Sequence, residues 1–196
     1  MILFVDACAR EESRTRRLAE MVLSNVCKKS GTDITTTELY KEELRPVDRA
    51  LIEVRDKALA SGDFSSPVFD MARQFADADI IIVAAPYWDF SFPAILKTYF
   101  ENISVNGICF EYDDKGVPHG LCRAEKLYYV TTSGGEIGKM NFGYDYVKAL
   151  VTGLYGIGDT ACIRAVGLDL IGNDPEVILK NAEEQLKTMF EEDTLG

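Results

Sequence analysis

Three stretches of this chain hold residues whose types and spacing suit ligand binding better than packing. The first, Ala7 to Arg17, sets Cys8, Ser13 and Thr15 among Arg10, Arg14, Arg16 and Arg17. Ser13, Arg14 and Thr15 fall where a helix is expected to begin, and there unpaired N–H groups and the positive end of the helix dipole favour an anion. The dipole alone is worth roughly 0.3–1 kcal/mol. A serine that merely caps the helix, with arginines on a solvated face, fits the same residues. The second stretch, Ala85 to Pro93, places Tyr87, Trp88, Phe90 and Phe92 close together, Trp88 being the only tryptophan. An exposed aromatic loop is costly unless it packs on something flat, so Tyr87 and Trp88 suggest a wall for a planar ring. Phe90 and Phe92 also suit a plug beneath the next helix. The third, Thr131 to Gly135, is a run of hydroxyls closed by Gly134 and Gly135. Glycine lets the backbone approach a ligand and offer N–H donors, although two glycines after a strand can equally be only a turn.

Other chemistries are disfavoured. His119, the single histidine, makes neither a histidine-rich metal site nor a Ser-His-Asp triad by itself. Cys8, Cys27, Cys109, Cys122 and Cys162 are odd in number and show no metal-like spacing, so free thiols in a reducing compartment are expected. Neither a GxGxxG fingerprint nor a P-loop lysine motif occurs, which disfavours a Rossmann dinucleotide site and a P-loop NTPase. A formal net charge of −11 argues against nucleic acid and anionic membranes, leaving small-molecule chemistry or a basic protein partner. With 47% hydrophobic residues in 196, the chain can bury a sizeable core, and a single domain over 1–196 is expected. No apolar run approaches the roughly 20 residues of a membrane span. Met1 to Asp6 enters a strand pattern without a basic leader, so a cytoplasmic location is expected.

Periodicity supplies the elements that must position the three stretches. Ile2 to Asp6 is an apolar run of the kind that forms a strand buried on both faces. Leu18, Met21, Val22 and Val26 make one apolar stripe of a helix, which Gly31 is expected to end. Asp33 to Leu39, rich in β-branched residues, predicts a second strand. Leu51, Val54, Ala58 and Leu59 predict a helix broken at Gly62, and Val68, Met71, Ala72 and Phe75 predict another. Ile80 to Ala85 is the strongest strand signal, stopped by Pro86. Pro93 suits the first turn of a helix with Ile95, Leu96, Tyr99, Phe100 and Ile103 on its apolar face. Residues 107 to 122 read as irregular apart from an extended piece at Phe110 to Tyr112. Leu127 to Thr131 predicts a fourth strand, Tyr144 to Leu154 a helix, and Ala161 to Val166 a fifth strand. Asp174-Pro175-Glu176 opens a last helix that runs to about Phe190.

Alternation of strand and helix predicts an α/β fold, a doubly wound five-stranded parallel sheet with helices on both faces. Such sheets bind ligands outside the carboxyl ends of the strands, where the strand order reverses. Flavodoxin, with FMN at the switch between its first and third strands, is the reference case. The three chemistry-bearing stretches follow the first, third and fourth predicted strands, at that end of the sheet.

The run Pro86 to Tyr112, PYWDFSFPAILKTYFENISVNGICFEY, resembles the FMN-dependent NAD(P)H:quinone oxidoreductase and azoreductase family, whose fold is flavodoxin-like. The family's P-M-Y-N-F loop, its L-K-x-Y-F helix and its G-x-x-F-x-Y segment are matched here by Pro86 to Phe90, Leu96 to Phe100 and Gly107 to Tyr112. Gly116 to Leu121 is similar to the glycine-bounded segment that follows. The family's S-x-S phosphate loop resembles Ser13-Arg14-Thr15, with Cys8 where a serine often stands, and its T-S-x-G-G loop resembles Thr131 to Gly135.

The resemblance implies FMN as cofactor, NADH or NADPH as donor, a quinone, azo compound or similar acceptor, and a homodimer with the pocket near its interface. It implies that Cys8, Ser13, Arg14 and Thr15 hold the ribityl phosphate and that Pro86, Tyr87, Trp88, Asp89 and Phe90 face the isoalloxazine. Thr132, Ser133, Gly134 and Gly135 would meet its pyrimidine edge. No protein nucleophile is implied, because the flavin carries the reactivity. Trp88 replaces the usual Tyr, Asp89 an Asn and Ser133 an Arg common in azoreductases. A carboxylate at Asp89 near the flavin would lower its potential; alternatively Asp89 caps the helix beginning near Pro93. A flavodoxin-like electron carrier docking on protein partners, a flavin reductase, and a flavin-free binding protein are the competing functions.

Overall fold

The computed structural model describes residues 1–30 and 33–192. Its centre is β1 (Ile2–Asp6), buried along its whole length. Parallel partners flank it, β2 (Ile34–Glu38) on one side and β3 (Ile80–Ala84) on the other. The antiparallel pair β4 (Phe110–Tyr112) and β5 (Pro118–Gly120) stands apart from this sheet. β6 (Lys126–Thr132) and β7 (Asp159–Ala165) complete it in the order β2-β1-β3-β6-β7. The chain thus moves outward from β1 in one direction to β2, then in the other through β3, β6 and β7. Strand order reverses between β1 and β3, and the loops after these strands part there.

Alternation of side chains along buried strands gives the sheet two apolar faces. Ile2, Phe4, Ile82, Ala84, Tyr128 and Val130 meet α1 (Arg14–Ser30) and α6 (Pro175–Glu192), through Leu18 and Val22 of the first and Leu179, Leu186 and Phe190 of the second. Leu3, Val5, Ile81, Val83, Leu127 and Tyr129 meet α2 (Arg49–Ala60), α3 (Asp70–Ala76), α4 (Ala94–Ile103) and α5 (Tyr144–Leu150). All five expected strands and the expected helices are present.

Several details differ from the reading of the sequence. Val54 is exposed: Leu51 and Ala58, with Leu59 partly buried beside them, form the face that α2 turns inward. Pro93 is the cap residue before α4 rather than a first-turn residue. The helix expected over Tyr144 to Leu154 is α5 followed by a wider π-type turn over Val151–Tyr155. Residues 107 to 122 are not irregular but contain the β4–β5 hairpin. The expected end of α1 at Gly31 lies outside the described residues. Among the described residues, no helix is long and apolar enough to cross a membrane.

Candidate functional site

Loops at the carboxyl ends of β1, β3, β6 and β7 enclose a cleft of about 480 Å³, in the range of roughly 300–1,000 Å³ usual for small-molecule sites. The first loop contributes Cys8, Ser13, Arg14 and Thr15, the second Pro86, Tyr87 and Trp88, and the third Thr132, Ser133 and Gly134. Asp89, Phe90 and Gly135, also expected, lie outside this lining.

In the first loop the chain turns from β1 into α1. Ser13 does cap the helix: its Oγ accepts the Arg16 N–H at 3.2 Å. The N–H groups of Arg14 and Thr15 find no acceptor among the described residues, so the dipole's positive end stays open toward the cleft. The Thr15 hydroxyl is turned inward, 2.6 Å from the hydroxyl of Thr132 and buried with it. That bond ties the first loop to the third. Burial pushes the Cys8 thiol up to about 12, partly offset by a hydrogen bond with Ser13. Cys8 is therefore a neutral, weakly polar lining group rather than a thiolate.

The second loop leaves β3 at Pro86. Trp88 and Ser91 exchange two backbone bonds, of 3.0 and 2.7 Å, around Asp89 at φ 49° and Phe90 at φ 66°. This is a two-residue turn of type I′, whose residues both need positive φ. Asparagine and aspartate tolerate that region, whereas a bulky phenylalanine pays roughly 1–2 kcal/mol for it. Asp89 is thus a turn residue, neither the cap of α4, which has no side-chain cap bond, nor part of the cleft lining. Phe92 packs on the core, its ring 5.6 Å from Tyr146, while Phe90 is exposed, so the plug expected of both is supplied by Phe92. The Tyr87 hydroxyl donates to the Met140 carbonyl at 2.7 Å and the Phe142 N–H donates to the Phe90 carbonyl at 3.0 Å. A strap at residues 140–142 is thereby fastened beside the aromatic loop.

The third loop runs alongside the loop after β7. Leu168 and Asp169 donate their N–H groups to the carbonyls of Ser133 and Gly134 at 3.1 and 2.9 Å. A Cβ at position 134 would sit 2.5 Å from an Asp169 carboxylate oxygen, so a larger residue there would require that exposed side chain to swing aside. Asp169 also pairs with Arg14 across the cleft at 2.8 Å, both side chains being well exposed.

Ala9, Arg10, Glu12, Leu168 and Asp169 line the cleft without a binding role expected of them from sequence. The first three lie inside the stretch already marked. Leu168 and Asp169 follow β7, and only the sheet order, which seats β7 beside β6, brings them to the site.

A parallel sheet in this order, with a ligand-sized cleft at its switch point, defines a flavodoxin-like protein. The chain belongs to the family described by the flavodoxin-like fold, whose model matches residues 1–190. It is 34% identical over 97% of its length to the FMN-dependent NADH:quinone oxidoreductase 2 of Clostridium acetobutylicum, of which 98% is covered. An FMN-dependent NADH:quinone oxidoreductase of Lachnoclostridium phytofermentans is 34% identical, with 94% of both chains covered. Among solved structures, an azoreductase from Bacillus anthracis superposes with a TM-score of 0.81 at 24% identity, over 96% of this chain and 97% of its own. The likeness to that structure concerns the fold.

Proposed function

We propose that the chain, acting as one domain over residues 1–196, binds FMN in this cleft as an FMN-dependent NAD(P)H oxidoreductase. It passes two electrons from NADH or NADPH to a quinone, an azo compound or a similar small acceptor. The observation that carries the reading is the convergence, at the sheet's switch point, of an open helix N-terminus, an aromatic wall and a glycine-bearing edge. Identity of 34% over nearly the full length to proteins named for this activity supports the same assignment.

The donor set fits the cofactor. The free N–H groups of Arg14 and Thr15, with Ser13, Arg10 and Arg14, suit the phosphate. Tyr87 and Trp88 suit the flat ring, and the backbone of Thr132 to Gly134 suits its polar edge. When bound, FMN supplies the two-electron chemistry, and no protein nucleophile is needed. The chain's own work is to hold the phosphate, orient the ring and keep water from one face. Cys8 assists by staying protonated, so no thiolate opposes the phosphate.

The protein is further inferred to be a cytoplasmic homodimer. Trp88, Phe90, Met140 and Phe142 stand 42%, 55%, 51% and 58% exposed around the second loop and its strap. Clustered apolar exposure of this kind marks an interaction surface. An anaerobic visible spectrum tests the central reading. Flavin bands should bleach on addition of NADH or NADPH and return with a quinone. Bands that ignore both nucleotides would instead indicate an electron carrier, and no bands after incubation with FMN would overturn the assignment.

A further inference from the structure

Arg16 stands in the first turn of α1, beside the anion-attracting end, yet its side chain turns away from the cleft. It lines a neighbouring hollow with Asp6, Glu38 and Tyr40. There its Nε donates to the Asp6 carboxylate, 2% exposed at the end of β1. Its Nη1 donates to the carbonyls of Arg10 and Glu11, both at 2.8 Å, and its Nη2 to the carbonyl of Cys8 at 2.9 Å. Asp6 closes the circuit by accepting the Cys8 N–H at 2.8 Å. Burial alone would lower the Arg16 pKa, but the hydrogen bond and charge of Asp6 outweigh it and the pKa is raised. One largely buried ion pair therefore fixes the backbone of the first loop from behind.

The direction of those carbonyls has a consequence for the other side of the loop. In a planar trans peptide the C=O and the N–H that follows point in opposite directions. With the carbonyls of Cys8, Arg10 and Glu11 held on Arg16, the N–H groups of Ala9, Glu11 and Glu12 point away from it. None of the three has an acceptor among the described residues, and Ala9 and Glu12 line the cleft. A carbonyl turned into the cleft instead would repel an anion.

We propose that Asp6 and Arg16 are a positioning pair, which turns the first loop's carbonyls away from the cleft and its N–H groups toward a bound phosphate. The pair thereby sets the preference for a phosphorylated flavin over the same flavin without its phosphate. This rests on the FMN reading above.

Binding of FMN and of riboflavin, followed by flavin fluorescence, tests it in the wild type, Arg16→Lys and Arg16→Gln, with the thermal midpoint measured alongside. Lysine keeps a charge facing Asp6 but lacks the planar fork that holds three carbonyls at once. The wild type should prefer FMN, and Arg16→Lys should weaken FMN at least about tenfold, the scale on which loss of an orienting partner weakens metal sites. Riboflavin binding should stay essentially unchanged, and Arg16→Gln should shift the ratio the same way. Equal weakening of both flavins would make the pair a general fold determinant and overturn the proposal. So would unaltered FMN binding, or an Arg16→Lys chain that no longer folds. A wild type that binds neither flavin is a separate result, which overturns the FMN reading itself.

Discussion

Thr15 and Thr132 join the first and third loops through one buried hydroxyl pair, and each would be left without a partner by loss of the other. Thr132→Val should destabilise the fold by about 1–3 kcal/mol in urea unfolding, the usual cost of orphaning a buried polar group. Thr15→Val/Thr132→Val should recover part of that loss, because both polar atoms leave together. Equal losses in the single and double variants would show that the bond does not connect the loops. Cys8 yields a pH prediction from its raised pKa. Below the unfolded value of 9.0 the thiol is protonated in both states, so its contribution to stability is fully present there. It is lost as the pH climbs through about 12, the folded value. Native protein treated with iodoacetamide at pH 8 should therefore leave Cys8 unmodified. Alkylation of Cys8 as fast as of Cys27 would contradict its assignment as a neutral buried thiol.

Among the elements, one close contact is between backbones, where β5 crosses the turn that follows α5. A Cβ on Gly120 would lie 2.1 Å from the Gly156 nitrogen and 2.1 Å from the Tyr155 carbonyl carbon, atoms that no side-chain rotation can clear. Gly120→Ala should cost about 1–3 kcal/mol or more in thermal unfolding, as overpacking does. Gly138→Ala, facing open space, is the control and should change stability by less than about 1 kcal/mol. Similar midpoints for the two would mean that β5 is not held against the turn. The same hairpin marks where legibility of the sequence ends. β1, β3 and β6 are apolar runs buried on both faces, so composition alone reveals them and, with them, the loops that form three sides of the cleft. β5 is Pro-His-Gly, which no strand propensity favours, and it exists because Phe110 to Tyr112 supplies its partner. Leu168 and Asp169 escape notice for a related reason: their place beside Ser133 and Gly134 follows from tertiary pairing of β7 with β6. Arg16 was visible as one of several arginines, but nothing in its neighbours tells a cleft-facing guanidinium from one folded back onto Asp6.

At the scale of the whole molecule, two properties oppose each other in the proposed homodimer. A net charge of −11 makes two copies repel, while the aromatic rim of Trp88, Phe90 and Phe142 favours burying them together. Screening shortens the reach of the repulsion from about 30 Å at 0.01 M salt to about 8 Å at 0.15 M, without weakening the apolar term. The dimer should accordingly tighten as salt is raised, which sedimentation velocity can follow at micromolar concentration. Phe142→Glu adds one more negative charge and removes an exposed ring, so it should shift the population toward monomer. The fold should persist, because Phe142 is 58% exposed and contributes little to either apolar face of the sheet. A monomer in the wild type at every salt concentration would overturn the dimer. A dimer that Phe142→Glu leaves intact would place the interface elsewhere on the surface, and the rim would then be free to contact the acceptor directly.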